Sequence, residues 1–245
     1  MIALNATALL NAWEEGAGQP PLRRALLLLS LAWPERSAEQ WAAVSMGERD
    51  ARLFRLRERL FGTVIETVAL CPQCSQRLEV CFTTREIRAE SQPQKPADTA
   101  LQVMACGYQI SYRLPTSADL LALAEGNAAD EWPALFHRCV LAAQCDGLAV
   151  DPAGLPEPAV KAVIDDMAKV DPQAETRMAL ACPACSHQWS MLFDIFSCLW
   201  GEIEDWAQRL LFEVHTLASA YGWSERDIVA MSARRRRLYL EMVGE

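Results

Sequence analysis

Two short cysteine motifs are the part of this sequence best suited to chemistry. Cys71-Pro72-Gln73-Cys74 and Cys182-Pro183-Ala184-Cys185 share the pattern Cys-Pro-x-Cys, and residues 75–181 separate them. A two-residue spacer lets both thiolates of one motif reach the same ion, and two such motifs complete the tetrahedral four-thiolate shell that Zn²⁺ prefers. We therefore predict one structural zinc ion, in a zinc ribbon that is split by an insertion. Its predicted ligands are Cys71, Cys74, Cys182 and Cys185.

A shell of four thiolates limits what the metal can do. It leaves no coordination position for a water molecule, so the ion contributes folding free energy rather than Lewis-acid chemistry. Two alternatives remain open. An iron-sulfur cluster would usually need different cysteine spacings. A redox dithiol at each pair would not need a second pair far along the chain.

The remaining candidates for catalysis are single residues without partners in the sequence. His137, His187 and His215 do not form a paired histidine motif, and the chain has neither a Gly-rich phosphate loop nor a GxSxG elbow. We therefore expect no enzymatic activity. Five further cysteines lie among apolar residues and are expected to be buried as small hydrophobic side chains. They are Cys81, Cys106, Cys139, Cys145 and Cys198.

Composition narrows the classes of partner and the location. The chain has 245 residues, of which 51% are hydrophobic, with 23 Lys and Arg against 32 Asp and Glu and a net charge of −9. This charge disfavours nucleic acid as a partner. The apolar run of residues 25–33 is far shorter than the ~20 residues that cross a bilayer, and the amino terminus does not resemble a secretory signal. We expect a cytoplasmic protein that does not bind membranes.

The hydrophobic pattern predicts an α+β fold that is mostly helical, with a small antiparallel sheet at the split zinc ribbon. Residues 1–62 are predicted to form a helical amino-terminal region that includes an amphipathic helix at 47–61. Residues 63–245 are predicted to form a discontinuous zinc-ribbon core. Strands at 64–70 and 78–82 flank the first cysteine pair, and strands at 178–181 and 188–193 flank the second.

The predicted core contains an insertion and ends in helices. Inserted helices fall within residues 101–177, after a polar linker at 89–100, and the carboxyl-terminal helices lie within 195–243. A hairpin at 101–112 has strands that can extend the sheet beside the cysteines. The insertion's helices are predicted to start after Thr116, with Asp119 in the first turn, and to cover 132–145 and 158–170.

The carboxyl-terminal segments resemble a known family. Leu211–Ala218, Tyr221–Ile228 and Arg234–Leu240 are similar to the closing signature of the T-even-type baseplate hub assembly chaperones. Arg113–Leu120 and the two cysteine motifs also take part in the resemblance. It implies a non-enzymatic assembly factor that holds a baseplate hub, spike or tube-initiator protein of a contractile tail. The positions expected to bind this partner are Trp223, Arg234, Arg235, Arg236 and Tyr239.

The main alternative is a zinc-ribbon module that binds nucleic acid or takes part in transcription. Such a module would carry basic residues near its cysteine motifs. Arg77, Arg85 and Arg88 follow the first motif, and no Lys or Arg closely follows Cys185. A metallohydrolase would need an open zinc and a general base, which four cysteine ligands disfavour.

Overall fold

The computed structural model describes residues 1–89, 97–125 and 131–244. The chain divides into two compact units, one of residues 1–35 with 196–245 and the other of residues 36–195. This division differs from the predicted boundary at residue 62, because residues 36–62 belong to the same unit as the cysteine motifs. Most of the predicted linker at 89–100 lies outside the described residues.

The fold is α+β with small antiparallel sheets, as predicted from the sequence. The helices are α1 (Ala6–Gly16), α2 (Pro21–Ala32), α3 (Ala38–Ala42), α4 (Met46–Phe61), α5 (Thr84–Ile87), α6 (Ser117–Glu125), α7 (Glu131–Cys139), α8 (Glu157–Val170), α9 (Ile195–Tyr221), α10 (Glu225–Ala230) and α11 (Ala233–Val243). The strands are β1 (Val64–Leu70), β2 (Arg77–Thr83), β3 (Leu101–Ala105), β4 (Tyr108–Tyr112), β5 (Val140–Cys145), β6 (Leu148–Val150), β7 (Arg177–Ala181) and β8 (Gln188–Leu192). No helix in these described ranges is long and apolar enough to span a membrane.

The first unit is helical, and α9 is its longest element. Gly222 ends α9 with a φ of 71°, a conformation that costs glycine little, and Ser224 then caps α10. Buried residues of α9 and α10 form one core, which consists of Leu210, Val214, Leu217, Ile228 and Val229. The chain also packs closely at Gly16, where an added Cβ would lie 2.3 Å from Cη2 of Trp200.

In the second unit, α4 leads into the first cysteine motif. Ser45 caps the helix by accepting a hydrogen bond from the N–H of Glu48 at 3.1 Å. Leu53, Phe54 and Leu56 are buried on one face, and Gly62 ends the helix with a φ of 87°. The amphipathic helix and the strand that follows it agree with the sequence prediction.

Each cysteine motif connects the two strands of a hairpin. β1 pairs with β2 from Val64↔Thr83 to Leu70↔Arg77, and β7 pairs with β8 from Arg177↔Leu192 to Ala181↔Gln188. The four strands flanking the motifs were therefore predicted correctly. They form two separate two-stranded sheets rather than the single small sheet that was expected.

The insertion contains a sheet as well as helices. This finding corrects the prediction that the hairpin at 101–112 extends the sheet at the cysteines, and the prediction of a helix at 132–145. β3, β4, β5 and β6 form one antiparallel sheet that packs on α8, and none of them pairs with the hairpins at the cysteines. The helix predicted at 132–145 is wrong after Cys139, because residues 140–145 form β5. Asp146 and Gly147, with φ of 51° and 79°, form the tight turn from β5 to β6, and this turn favours a hairpin over a continuing helix.

Candidate metal centre

The two cysteine motifs have the same backbone conformation. In the first, the N–H of Cys71 donates to the carbonyl of Gln76 at 2.9 Å, and the N–H of Ser75 donates to the carbonyl of Cys71 at 2.9 Å. In the second, Cys182 donates to the carbonyl of His187 at 2.8 Å, and Ser186 donates to the carbonyl of Cys182 at 2.9 Å. The matching hydrogen bonds place each cysteine pair at the tip of its hairpin.

A serine in the left-handed region follows each pair. Ser75 has a φ of 58° and Ser186 a φ of 59°, which non-glycine residues rarely adopt. The shared motif is therefore Cys-Pro-x-Cys-Ser, one residue longer than Cys-Pro-x-Cys. The serine at the fifth position of both motifs was the signal in the sequence that could have predicted this turn.

The fold brings the four predicted ligands to one point. Their Sγ atoms all lie within 4.8 Å of one another. Cys71 Sγ lies 3.6 Å from Cys185 Sγ, and Cys74 Sγ lies 3.6 Å from Cys182 Sγ. A tetrahedral site with Zn–S bonds of 2.3 Å has S···S edges of about 3.8 Å, so this donor set fits a four-thiolate metal ion.

The electrostatics of the cluster also favour a cation. Burial raises the pKa of the Cys71 thiol, but N–H groups of Cys74 and Gln73 and the neighbouring thiols outweigh burial and lower that pKa to about 7. The N–H of His187 lowers the pKa of Cys185, whereas burial and the adjacent thiols raise it to about 12. Four thiolates this close repel one another, so they ionise together only when a positive charge lies among them.

The other cysteines and His187 lie outside this cluster. Cys139 is buried, as predicted, and its burial raises the pKa of its thiol to about 11. The prediction of burial is wrong for Cys81 and Cys106, which are exposed because one lies on the open face of the β1–β2 hairpin and the other in a tight turn. The ring of His187 stacks on Trp189 at 6.0 Å.

The predicted partner-binding residues lie near the end of the first unit. The ring of Trp223 stacks on Tyr221 at 4.5 Å and meets Tyr239 edge-on at 4.8 Å. We call these three residues the aromatic cluster. Arg234 and Arg235 are exposed on α11.

Arg236 differs from its neighbours on α11, because it is buried inside the unit. Its Nε donates to Glu213 at 2.6 Å and its Nη1 donates to the carbonyl of Met231 at 2.7 Å. These bonds hold α11 against α9. The guanidinium of Arg236 therefore forms hydrogen bonds within the unit, although the sequence predicted that Arg236 binds the partner.

Two buried aspartates, Asp119 and Asp171, have roles that the sequence did not predict. Asp119, predicted only as a first-turn residue of α6, also receives hydrogen bonds from Arg113 and Arg138. Asp171 Oδ2 accepts a hydrogen bond of 2.8 Å from the N–H of Gly47 at the start of α4. The pairing of Asp119 with Arg113 joins residues close in sequence and could have been predicted. The contact of Asp171 with Gly47 joins residues 124 positions apart, so no local pattern predicts it.

Comparison with known proteins identifies the class. Residues 34–200 match the model of a protein family described as T4 bacteriophage base plate protein. This range is more than half of the chain, which therefore belongs to the T4 bacteriophage base plate protein family and has a baseplate-related role. No curated protein and no solved structure matches the chain.

The matched range has a clear relation to the fold. It covers the whole of the unit formed by residues 36–195, with both cysteine motifs. The resemblance to a baseplate family that the sequence suggested is thus confirmed. The segments at 211–240, which carried part of that resemblance, lie beyond the matched residues.

Proposed function

We propose that this protein is a non-enzymatic assembly factor, or chaperone, for the baseplate hub or spike of a contractile tail-like injection system. The observation that carries the proposal is membership of the T4 baseplate family across residues 34–200. The assembly factor acts in the cytoplasm and holds a hub, spike or tube-initiator protein until the baseplate forms. The similarity of residues 211–240 to hub assembly chaperones also supports this role.

A structural zinc ion held by the four clustered cysteines completes the proposal. A thiolate shell suits Zn²⁺, and four cysteine ligands leave no position for a reactive water molecule. The ion would instead join two hairpins that are distant in sequence, which makes metal binding part of folding. This arrangement supports a binding role for the protein and no catalytic turnover.

The proposed contact surface lies at α11 and the aromatic cluster. Arg234 and Arg235 are exposed, and in the described residues neither forms an ion pair with an acidic side chain. The guanidinium of Arg235 lies 5.7 Å from the ring of Tyr239, so charge and aromatic surface occur together. Arginine and aromatic residues commonly provide the hot spots of protein interfaces. Arg236 supports this surface from inside by holding α11 in place.

The assembly role is tested by deleting the gene in a host that makes the contractile particle. We expect the yield of complete, contractile particles seen by electron microscopy to fall at least tenfold. A plasmid copy of the wild-type gene should restore the yield. Normal numbers of contractile particles after deletion would refute the assembly role.

The contact surface is tested by reversing two exposed charges. We expect Arg234→Glu with Arg235→Glu to weaken co-purification with the hub, spike or tube protein at least tenfold, because hot-spot changes cost ~2 kcal/mol or more. Arg226→Glu is the matched control, since Arg226 is an exposed arginine on the neighbouring helix α10. If the double variant and the control both recover as much partner as the wild type, and their thermal unfolding is unchanged, the contact lies elsewhere.

A further inference from the structure

One edge of the β7–β8 hairpin carries unpaired backbone groups. The N–H of Cys182 donates to the carbonyl of His187, and the N–H of Phe193 donates to the carbonyl of Thr176. With the register between them, these bonds show which residues of β7 are hydrogen-bonded to β8 and which are not. Met178 and Leu180 therefore direct their N–H and C=O groups toward β8, and Ala179 and Ala181 direct theirs away. Across the described residues these outward backbone groups of β7 have no hydrogen-bond partner.

Apart from Arg177 at its start, this edge lacks the charges, prolines and bulges that usually protect an exposed strand. Natural sheets protect their edges with charged residues, proline, bulges or a covering element. Residues 178–181 of β7 are Met-Ala-Leu-Ala, with neither charge nor proline, and the register with β8 is regular. By contrast, β2 carries Glu79 at its centre. An unprotected edge of this kind is a template for another strand.

A slot of about 250 Å³ is lined by Arg177–Leu180, four consecutive residues of β7. Because successive residues of a strand face opposite sides, we infer that a slot lined by all four lies beside the strand and not on one of its faces. Val80, Phe82 and Ile87 also line the slot and make part of its lining apolar. Glu86 and Arg177 add one charge of each sign. The slot therefore combines the outward backbone groups of β7 with apolar residues that can contact the side chains of a bound segment.

We propose that the β7 edge binds an extended segment of a partner protein, which adds to the hairpin as a third strand. An extended backbone is the occupant that matches a row of alternating N–H and C=O groups. Apolar side chains at every second position of the segment face Val80, Phe82 and Ile87. β7 and α11 belong to different units of the chain. The inference goes beyond the proposed assembly role because it names the conformation of the bound partner segment.

The test measures binding of a defined peptide panel to the full chain. The probes are fluorescein-labelled seven-residue peptides with Val, Ile, Leu or Phe at alternate positions and Thr or Lys between them. Fluorescence anisotropy gives the dissociation constant for each peptide. We expect at least one peptide to bind, and its backbone N-methylated form to bind at least tenfold more weakly because it lacks the donors.

Two proline variants separate this edge from the opposite one. Ala179 and Ser190 face each other across the hairpin, and each directs its N–H to an outer edge. Ala179→Pro blocks the β7 edge and should weaken peptide binding at least tenfold, whereas Ser190→Pro blocks the β8 edge and should leave it unchanged. Cooperative thermal unfolding of both variants confirms that each is folded. In the wild-type complex, hydrogen exchange should slow at the amides of Ala179 and Ala181.

Several results would overturn the inference. It fails if no peptide of the panel binds, or if Ala179→Pro binds as well as Ser190→Pro does. Protected amides at Ala179 and Ala181 in the free monomer would show that the chain covers this edge itself. A dimer that disappears in Ala179→Pro would show that the occupant is a second copy.

Discussion

Asp119 is a buried carboxylate whose partners make its contribution to stability depend on pH. It accepts two hydrogen bonds from Arg113, both at 2.7 Å, and one from Arg138 at 3.2 Å. Burial raises the pKa of Asp119, but the bonds from Arg113 and Thr116 outweigh burial and hold that pKa well below its usual range. Since the pKa is lower in the folded chain, ionised Asp119 stabilises the fold above about pH 4, and this stabilisation is lost as the pH falls further.

We expect Asp119→Asn to lower the free energy of unfolding by about 2–3 kcal/mol at pH 7, because it removes charged hydrogen bonds from a buried site. The difference from the wild type should shrink at pH 3.5 and below. Urea unfolding at both pH values measures it. Asp165→Asn is the control, since Asp165 forms an exposed pair with Lys161 and should change stability by about 0.5 kcal/mol or less. If Asp119→Asn is as stable as the wild type at pH 7, the hydrogen bonds of Asp119 do not stabilise the fold as described.

For single residues, the sequence predicts metal ligands better than it predicts the partners of buried charges. The spacing within each Cys-Pro-x-Cys motif is local, so the four cysteines could be chosen from the sequence and the fold brings them within 4.8 Å. Thr116 caps α6 by accepting a hydrogen bond from the N–H of Asp119 at 3.3 Å, and this contact is local as well. The pairing of Asp119 with Arg138 depends on how α7 packs against α6, which periodicity does not specify.

At the scale of elements, α4 depends on a contact with the end of α8. Asp171 follows α8, accepts a hydrogen bond from the N–H of Gly47 and leaves no room for a side chain there. An added Cβ on Gly47 would lie 2.0 Å from Asp171 Oδ1 and 2.9 Å from the backbone nitrogen of Ala174. A carboxylate near the amino terminus of a helix also interacts favourably with the helix dipole. Gly47 therefore holds two distant parts of this unit together.

We expect Gly47→Ala to destabilise the protein by about 2–4 kcal/mol, because it overpacks a buried contact and breaks a buried hydrogen bond. Thermal or urea unfolding measures the loss. Gly201→Ala is the matched control, since a Cβ at Gly201 on α9 meets no atom within 4 Å. That control should raise stability by up to about 1 kcal/mol through helix propensity. Similar stabilities for the two variants would mean that Gly47 is not closely packed.

Elements whose ends carry strong local signals were predictable from the sequence. The four strands beside the cysteines and α4 have regular hydrophobic patterns and clear boundaries, such as Gly62. β5 was mistaken for helix because Val140–Cys145 is short and apolar, and such a run fits both patterns. The Asp146-Gly147 turn after it was the overlooked signal for a hairpin.

At the scale of the whole molecule, the family match and the division of the chain agree closely. The match covers residues 34–200, and one compact unit covers residues 36–195. The part of this chain that matches the family model therefore contains the whole unit with both cysteine motifs. The sequence did not predict that residues 1–35 belong with the carboxyl-terminal helices, because such pairings depend on tertiary packing rather than on local pattern.

We propose that both cysteine motifs bind one structural zinc ion, and native mass spectrometry of the full chain counts the ions bound to each molecule. We predict one zinc per chain in protein purified without added metal. Cys185→Ser should lose the zinc and cooperative unfolding, whereas the control Cys81→Ser, an exposed cysteine outside the cluster, should keep both. Wild-type protein that contains no zinc, iron instead of zinc, or a separate ion at each motif would contradict the account.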